Sequence, residues 1–196
     1  MDGLLGFVLA GFALTGSPGP ATLSLAATGA AFGARRGLRY LVGVVLGVSS
    51  VMAIVASGVT GLILALPGAV PVVTVAAASY MAYLAWRIAT APPLAESDGA
   101  RPPSILGGIF MALVNPKAYA AMAALFSGFV LIHGEPELDA LLKALTVVAI
   151  IIPVNITWLM IGSALTRCFR EPAINRAINV GFALLLLASV ALALLL

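Results

Sequence analysis

Charged and strongly polar residues interrupt an otherwise apolar chain at widely spaced points. The six stretches between them run approximately Gly3 to Phe32, Leu38 to Leu64, Val70 to Ile88, Ile105 to Ile132, Leu141 to Leu165 and Ile174 to Leu196. A helix rises about 1.5 Å per residue, so about 20 residues cross a hydrocarbon core roughly 30 Å thick. The pattern therefore predicts an all-α membrane protein with six transmembrane helices. Met1-Asp2-Gly3 lacks the basic start of a signal peptide and the run that follows is too long for an h-region, so the first stretch reads as a retained span. The longest polar connection, 91–104, holds four prolines with Glu96, Asp98 and Arg101. It reads as a solvated linker inside one transmembrane domain, 1–196, and separates half-repeats at about 1–90 and 105–196.

Composition agrees: 62% of the 196 residues are hydrophobic and 9% charged, with a mean hydropathy of +1.16. Soluble domains are nearer half apolar and a quarter charged, so a globular enzyme is excluded. Twenty glycines and twelve prolines fit bilayer helices, where neighbouring helices re-satisfy freed backbone groups. The net charge of +3 records orientation and not a nucleic-acid partner. Arg35, Arg36, Arg39, Arg87, Arg101, Arg167, Arg170 and Arg176 fall on one side of the six spans, while only Lys143 lies opposite, beside Glu135, Glu137 and Asp139. The positive-inside rule then places both termini outside the cytoplasm, with Trp86 an interfacial anchor. The single cysteine, Cys168, excludes an internal disulfide and a thiolate metal cage.

The tenth basic residue, Lys117, breaks the apolar pattern. It lies about 18 Å into the fourth span, too deep to reach an interface easily, where a lysine costs on the order of 2.5–3.5 kcal/mol. Its partner must be water, a carbonyl, a polar side chain or a bound anion, and the anion is the functional option. Pro18-Gly19-Pro20 is expected to break the first span, Pro18 by removing a donor and Gly19 by its conformational freedom. Asn115-Pro116 is expected to break the fourth, 98 residues on from Ser17-Pro18 and thus half the chain length away. An odd number of spans per half makes any repeat inverted, and paired, interrupted spans in inverted repeats point to a transport site at the bilayer midplane. Two half-helix N-termini and an ammonium would cradle a carboxylate. Pro153-Val154-Asn155 is expected to interrupt the fifth span, with Asn155 and Trp158 too deep for an interfacial belt.

Other features read as structural. Thr15, Ser17 and Ser24 are helix-packing hydroxyls, and Gly29, Gly33, Gly37, Gly43 and Gly47 permit close helix approach. His133 stands at a span edge, and no span contains the acid or base that a hydrolase needs, nor the ligands of a metal exporter. A non-transporting scaffold, a channel or an exporter of another small metabolite is the rival reading.

Along nearly its whole length the chain resembles the LysE/RhtB family of bacterial amino-acid exporters. The resemblance rests on Pro18-Gly19-Pro20 followed by Gly33, Gly37, Gly43 and Gly47, on Ala78-Ser79-Tyr80-Met81-Ala82-Tyr83-Leu84, on Asn115-Pro116-Lys117, and on Asn155, Trp158, Gly162, Pro172 and Asn179. It implies a secondary transporter of the bacterial inner membrane that drives efflux of amino acids. Lys117, Asn115, Pro18, Gly19, Pro20, Asn155 and Trp158 are the expected substrate-binding residues, with no catalytic residue, metal or cofactor, and a proton as the expected coupling ion. Two departures stand out. Val48 replaces the aspartate typical of basic-substrate members, and Ala77 and Ala85 replace glycines around the third-span tyrosine. Small neutral amino acids or related zwitterions are the expected cargo.

Overall fold

The computed structural model describes residues 2–58, 69–90, 102–168 and 172–195. Eight helices occur among them: α1 (Asp2–Gly16), α2 (Pro20–Phe32), α3 (Ala34–Ala56), α4 (Ala69–Ala89), α5 (Ile105–Leu113), α6 (Pro116–Gly128), α7 (Pro136–Cys168) and α8 (Pro172–Leu195). No strand occurs among the described residues. The expected linker lies largely outside them at 91–101, as do Arg101 and Arg170 and the side chains of Arg167 and Cys168.

The first and fourth apolar stretches are each broken, as their prolines foretold. α1 and α2 meet at 58° and α5 and α6 at 64°. Both second segments begin with a cap residue followed by proline at the first helical position, Gly19-Pro20 and Asn115-Pro116. Proline fits there because that N–H has no intrahelical acceptor. The proline that matches Pro116 is therefore Pro20, whereas Pro18 lies in the extended link. α3 and α7 are each long and apolar enough to cross a bilayer, and each bent pair passes the same test as a single span. One expectation is corrected. α7 is continuous through Pro153, which forfeits its own N–H bond without ending the helix.

Glycines set the packing. A Cβ on Gly29 would overlap the Leu159 carbonyl and one on Gly162 the Ala26 carbonyl, so α2 and α7 cross with backbones in contact. Gly43 meets the Ile105 carbonyl, Gly108 the Tyr40 carbonyl and Gly47 the backbone of Ile109, which does the same for α3 and α5. Gly33, with φ at 79°, makes the reversal from α2 to α3 that a Cβ would strain. α2 is the most enclosed element: every residue from Thr22 to Phe32 is buried. Ser24 and Thr28 bond to the backbone one turn earlier, and Tyr40 donates to Ser24 at 3.0 Å. Ser24 thus serves packing, as expected, and Thr28 and Tyr40 do the same beside it.

The two ends of the bundle differ. At one, Gly33 and Ala34 meet α7 through the Ala34 N–H to Ser163 Oγ bond of 3.2 Å, and Arg87 lies over the Phe32 ring. At the other, Phe7 packs edge-on against Phe129, and Asp139 closes the turn between α6 and α7. Its Oδ1 accepts from the N–H groups of Leu131 and Ile132 at 2.6 and 2.9 Å. Its other oxygen pairs with Lys143 at 2.6 Å, and Lys143 also donates to the Phe126 carbonyl. The Lys143 side chain is only 4% exposed, so a pair that the sequence assigned to loop charge is a buried clasp.

Breaking a buried pair by deleting one partner costs about 3–5 kcal/mol, because the remaining charge is left uncompensated. Asp139→Ala should lower thermal stability of the purified protein by that order and leave Lys143 without its counter-ion. Replacing both residues, Asp139→Asn with Lys143→Met, should recover a large part of the loss. Melting curves of the three proteins in detergent check this.

Candidate functional site

Where a helix stops inside a bilayer, its last carbonyls lose their intrahelical donors and need others. α1 stops at Gly16, and three consecutive carbonyls there find donors from distant helices. The Gly16 carbonyl accepts from the Trp158 Nε1–H at 3.1 Å. The Ser17 and Pro18 carbonyls both accept from the Lys117 ammonium, the second at 3.2 Å. A cation is the favoured donor, because the helix dipole leaves partial negative charge at a C-terminus. Lys117 thus ties the start of α6 to the end of α1, so the two breaks stand at one level.

Each second segment is capped from its own sequence. The Asn115 Oδ1 accepts from the Lys117 backbone N–H at 3.2 Å, and the Asn115 carbonyl accepts from Ala118 N–H at 3.0 Å. Two amides expected to face an anion are therefore committed to Asn115. The start of α2 is freer. Thr22 Oγ1 accepts from Gly19 N–H at 2.9 Å, and the Leu23 N–H returns to the Gly19 carbonyl. The Ala21 and Thr22 amides, in the first turn, have no intrahelical acceptor.

The need for glycine at position 19 differs from the expected one. Its backbone is extended, φ −177° and ψ 179°, a conformation open to any residue. What excludes a side chain is space: a Cβ would stand 2.6 Å from Lys117 Cδ and 3.0 Å from its Nζ.

A cleft opens beside this junction, lined by Leu14 and Thr15 of α1, Gly19, Ala21 and Thr22 at the start of α2, Val48 of α3, Asn115, Lys117, Ala118, Ala121 and Met122 around α6, and Ile151 and Asn155 of α7. It holds about 430 Å³ of empty space, part of it open to the outside. Of the seven residues singled out from sequence, Lys117, Asn115, Gly19 and Asn155 line it. Pro18, Pro20 and Trp158 lie behind the lining, where they shape and cap the break. Lys117 is the one ionisable side chain among the described lining residues. Two of its three ammonium protons are held by carbonyls, which leaves one for the cleft. Asn155 is 5% exposed and lines the cleft, where its amide makes no hydrogen bond to a described residue and keeps contact with the open space. Thr15 gives its proton to the Gly11 carbonyl at 2.7 Å, so its oxygen can only accept from a ligand.

Thr22 and Val48 carry more than their sequence context announced. The Ser/Thr preference for capping could have marked Thr22, three residues after the cap. Nothing local distinguishes Val48, which becomes lining only because α3 crosses the level of the breaks. Asn179 is buried at 2%, with an Oδ1 lacking any partner among the described residues, on a helix that does not line the cleft. No group of three or more metal-ligating side chains occurs among the described residues.

Comparison with known proteins gives the same reading from a different direction. Residues 5–196 match the model of the LysE type translocator family. A cysteine/O-acetylserine efflux protein of Escherichia coli O139:H28 (strain E24377A / ETEC) is 30% identical over 175 residues, covering 87% of each chain. The cysteine/O-acetylserine efflux protein of Escherichia coli strain K12 is 30% identical over 174 residues, covering 87% of this chain and 86% of its own. No solved structure gives a significant match. The chain belongs to the LysE type translocator family, a family of transporters and not of enzymes.

Proposed function

We propose that this protein is a secondary-active exporter of small neutral amino acids or related zwitterions across the bacterial inner membrane. The observation that carries the reading is the cleft at the paired breaks, where one ammonium proton, two free helix-start amides and the unpartnered Asn155 amide converge without any acid. A substrate carboxylate meets the Lys117 proton and the Ala21 and Thr22 amides, a helix start that favours negative charge. A substrate ammonium meets Asn155 Oδ1 and the Thr15 oxygen, both acceptors. The side chain is left facing Val48, Ala118, Ala121 and Met122, a small apolar wall. Cysteine and O-acetylserine, the cargo named for the relatives, are zwitterions whose side chains carry no charge at neutral pH.

A basic amino acid adds a second cation next to Lys117. Two unit charges about 4 Å apart repel by about 4 kcal/mol at the effective dielectric of a protein surface, which is about a thousandfold in affinity. With no carboxylate among the described lining residues, nothing offsets that cost. Six spans in two inverted halves, both termini on the side away from the cytoplasm and a proton as coupling ion complete the proposal; the eight arginines that the sequence assigns to one side of the six expected spans motivate the orientation.

Efflux from preloaded cells across a panel of neutral, acidic and basic amino acids tests the reading. Cysteine, O-acetylserine or another small neutral amino acid should leave at least tenfold faster than lysine or arginine. Export of a basic amino acid above every neutral one would refute the charge argument, and no export of any of them would refute transport of amino acids. Trp158→Phe keeps the ring but removes the donor to Gly16, so it should lower the maximal efflux rate several-fold with a smaller change in apparent substrate affinity. Asn155→Leu, which removes a group placed in the site, should raise the half-saturating concentration at least tenfold. Concentration-dependent efflux rates for the two variants distinguish these outcomes.

A further inference from the structure

Two prolines decide which carbonyls α1 leaves over. A helical carbonyl accepts from the N–H four residues on, and Pro18 and Pro20 have none to give. The Leu14 and Gly16 carbonyls therefore lose their donors, and each has a replacement: the Ser17 hydroxyl donates to Leu14 at 3.1 Å and the Trp158 Nε1–H to Gly16 at 3.1 Å. The next two carbonyls, of Ser17 and Pro18, lose theirs because the chain turns by 58° into α2. Both are met by the Lys117 ammonium. Among the described residues the only other hydrogen bond to either comes from the Thr22 hydroxyl, 3.4 Å from the Ser17 carbonyl and closer, at 3.1 Å, to that of Gly19.

This pair has the chemistry of a cation receptor. The end of α1 carries partial negative charge, and two oxygens converge on one nitrogen. In membrane transporters such half-helix ends and unwound carbonyls hold coupling cations. The space in front of the pair suits a slender cation. Gly19 makes that space, since a Cβ there would stand 2.6 Å from Lys117 Cδ and 3.0 Å from its Nζ. A chain of methylenes ending in an ammonium fits the gap; a quaternary ammonium is too broad for it and has no N–H to donate.

We propose that the Ser17 and Pro18 carbonyls form a primary-ammonium site, which the protein fills with its own Lys117, and that this occupancy sets the polarity of the cleft. With Lys117 in place the carbonyls are withheld from a ligand's ammonium, and an amino acid can bind there only with its carboxylate toward the lysine. Without it the same end of the cleft receives a primary amine along the path of the missing stem. The consequence for cargo rests on the transport reading above.

Lys117→Ala deletes three methylenes and the ammonium, the atoms of n-propylammonium. Melting temperatures of the purified protein in detergent, with matched concentrations of n-propylammonium, choline and sodium chlorides, test the site. Lys117→Ala should show a saturable rise of about 3 °C or more with n-propylammonium beyond the response to choline or sodium. The parent, whose site is full, and Lys117→Met, whose side chain fills the space without a donor, should show no difference among the three salts. If Lys117→Ala does not survive extraction alone, the yield of folded protein extracted in each salt becomes the readout, and n-propylammonium should raise it at least threefold over the others. Equal responses of Lys117→Ala to the three salts, a sodium effect as large as that of n-propylammonium, or an n-propylammonium effect as large in the parent or in Lys117→Met would overturn the proposal. No step uses transport, so absence of efflux by the parent would count against the transport reading alone, and the salt responses bear on the site alone.

Discussion

A helix that ends in the middle of a bilayer exposes carbonyls that no water can reach, at several kcal/mol for each one left unpaired. This constraint organises the molecule. α1 ends where its carbonyls can be met by Trp158 from α7 and by Lys117 from α6, so the two broken spans and the long unbroken helix are held at one level. The same cation is costly in hydrocarbon on its own. Broken helix and half-buried lysine therefore reduce each other's penalty, and the site forms as a consequence of that mutual repair. Gly19 has to lack a side chain because the lysine stem occupies the place where one would be.

The arrangement also explains why a single residue can both build the site and serve it. Two carbonyls take two ammonium protons and fix the nitrogen at the mouth of the cleft; the third proton remains directed by that geometry. Asn115 caps α6 and so holds the lysine backbone in place, while Asn155 supplies hydrogen-bonding capacity that the protein itself leaves unused.

Much of this was legible in the chain. Pro18-Gly19-Pro20 and Asn115-Pro116 announced the breaks, Lys117 announced a partner at depth, and Gly29, Gly43 and Gly47 announced close crossings. The errors share a cause. Pro153 was read as an interruption, yet a proline not followed by a new helix start removes one bond and no more; Pro20 and Pro116 differ in having a cap residue before them. The donation from Trp158 to Gly16 has no local signature either, because that partner is set by where α1 ends. Asp139 and Lys143 look like loop charges by composition and form a clasp because the turn from α6 brings Leu131, Ile132 and Phe126 to them. Val48 is lining only through the crossing of α3. These are facts of tertiary arrangement with no local signature.

The central claim is that the Lys117 ammonium, anchored on the end of α1, holds the substrate carboxylate. A ligand that binds the folded protein raises its melting temperature by mass action, and saturation at a hundred times the dissociation constant corresponds to about 2.7 kcal/mol. The most direct measurement is the melting temperature of the purified protein and of Lys117→Met with increasing O-acetylserine, alongside its methyl ester, which lacks the carboxylate charge. The account predicts a saturable rise for the parent protein with the free acid, little with the ester, and none with either compound for the variant. Equal stabilisation of a folded Lys117→Met variant by the free acid would contradict it.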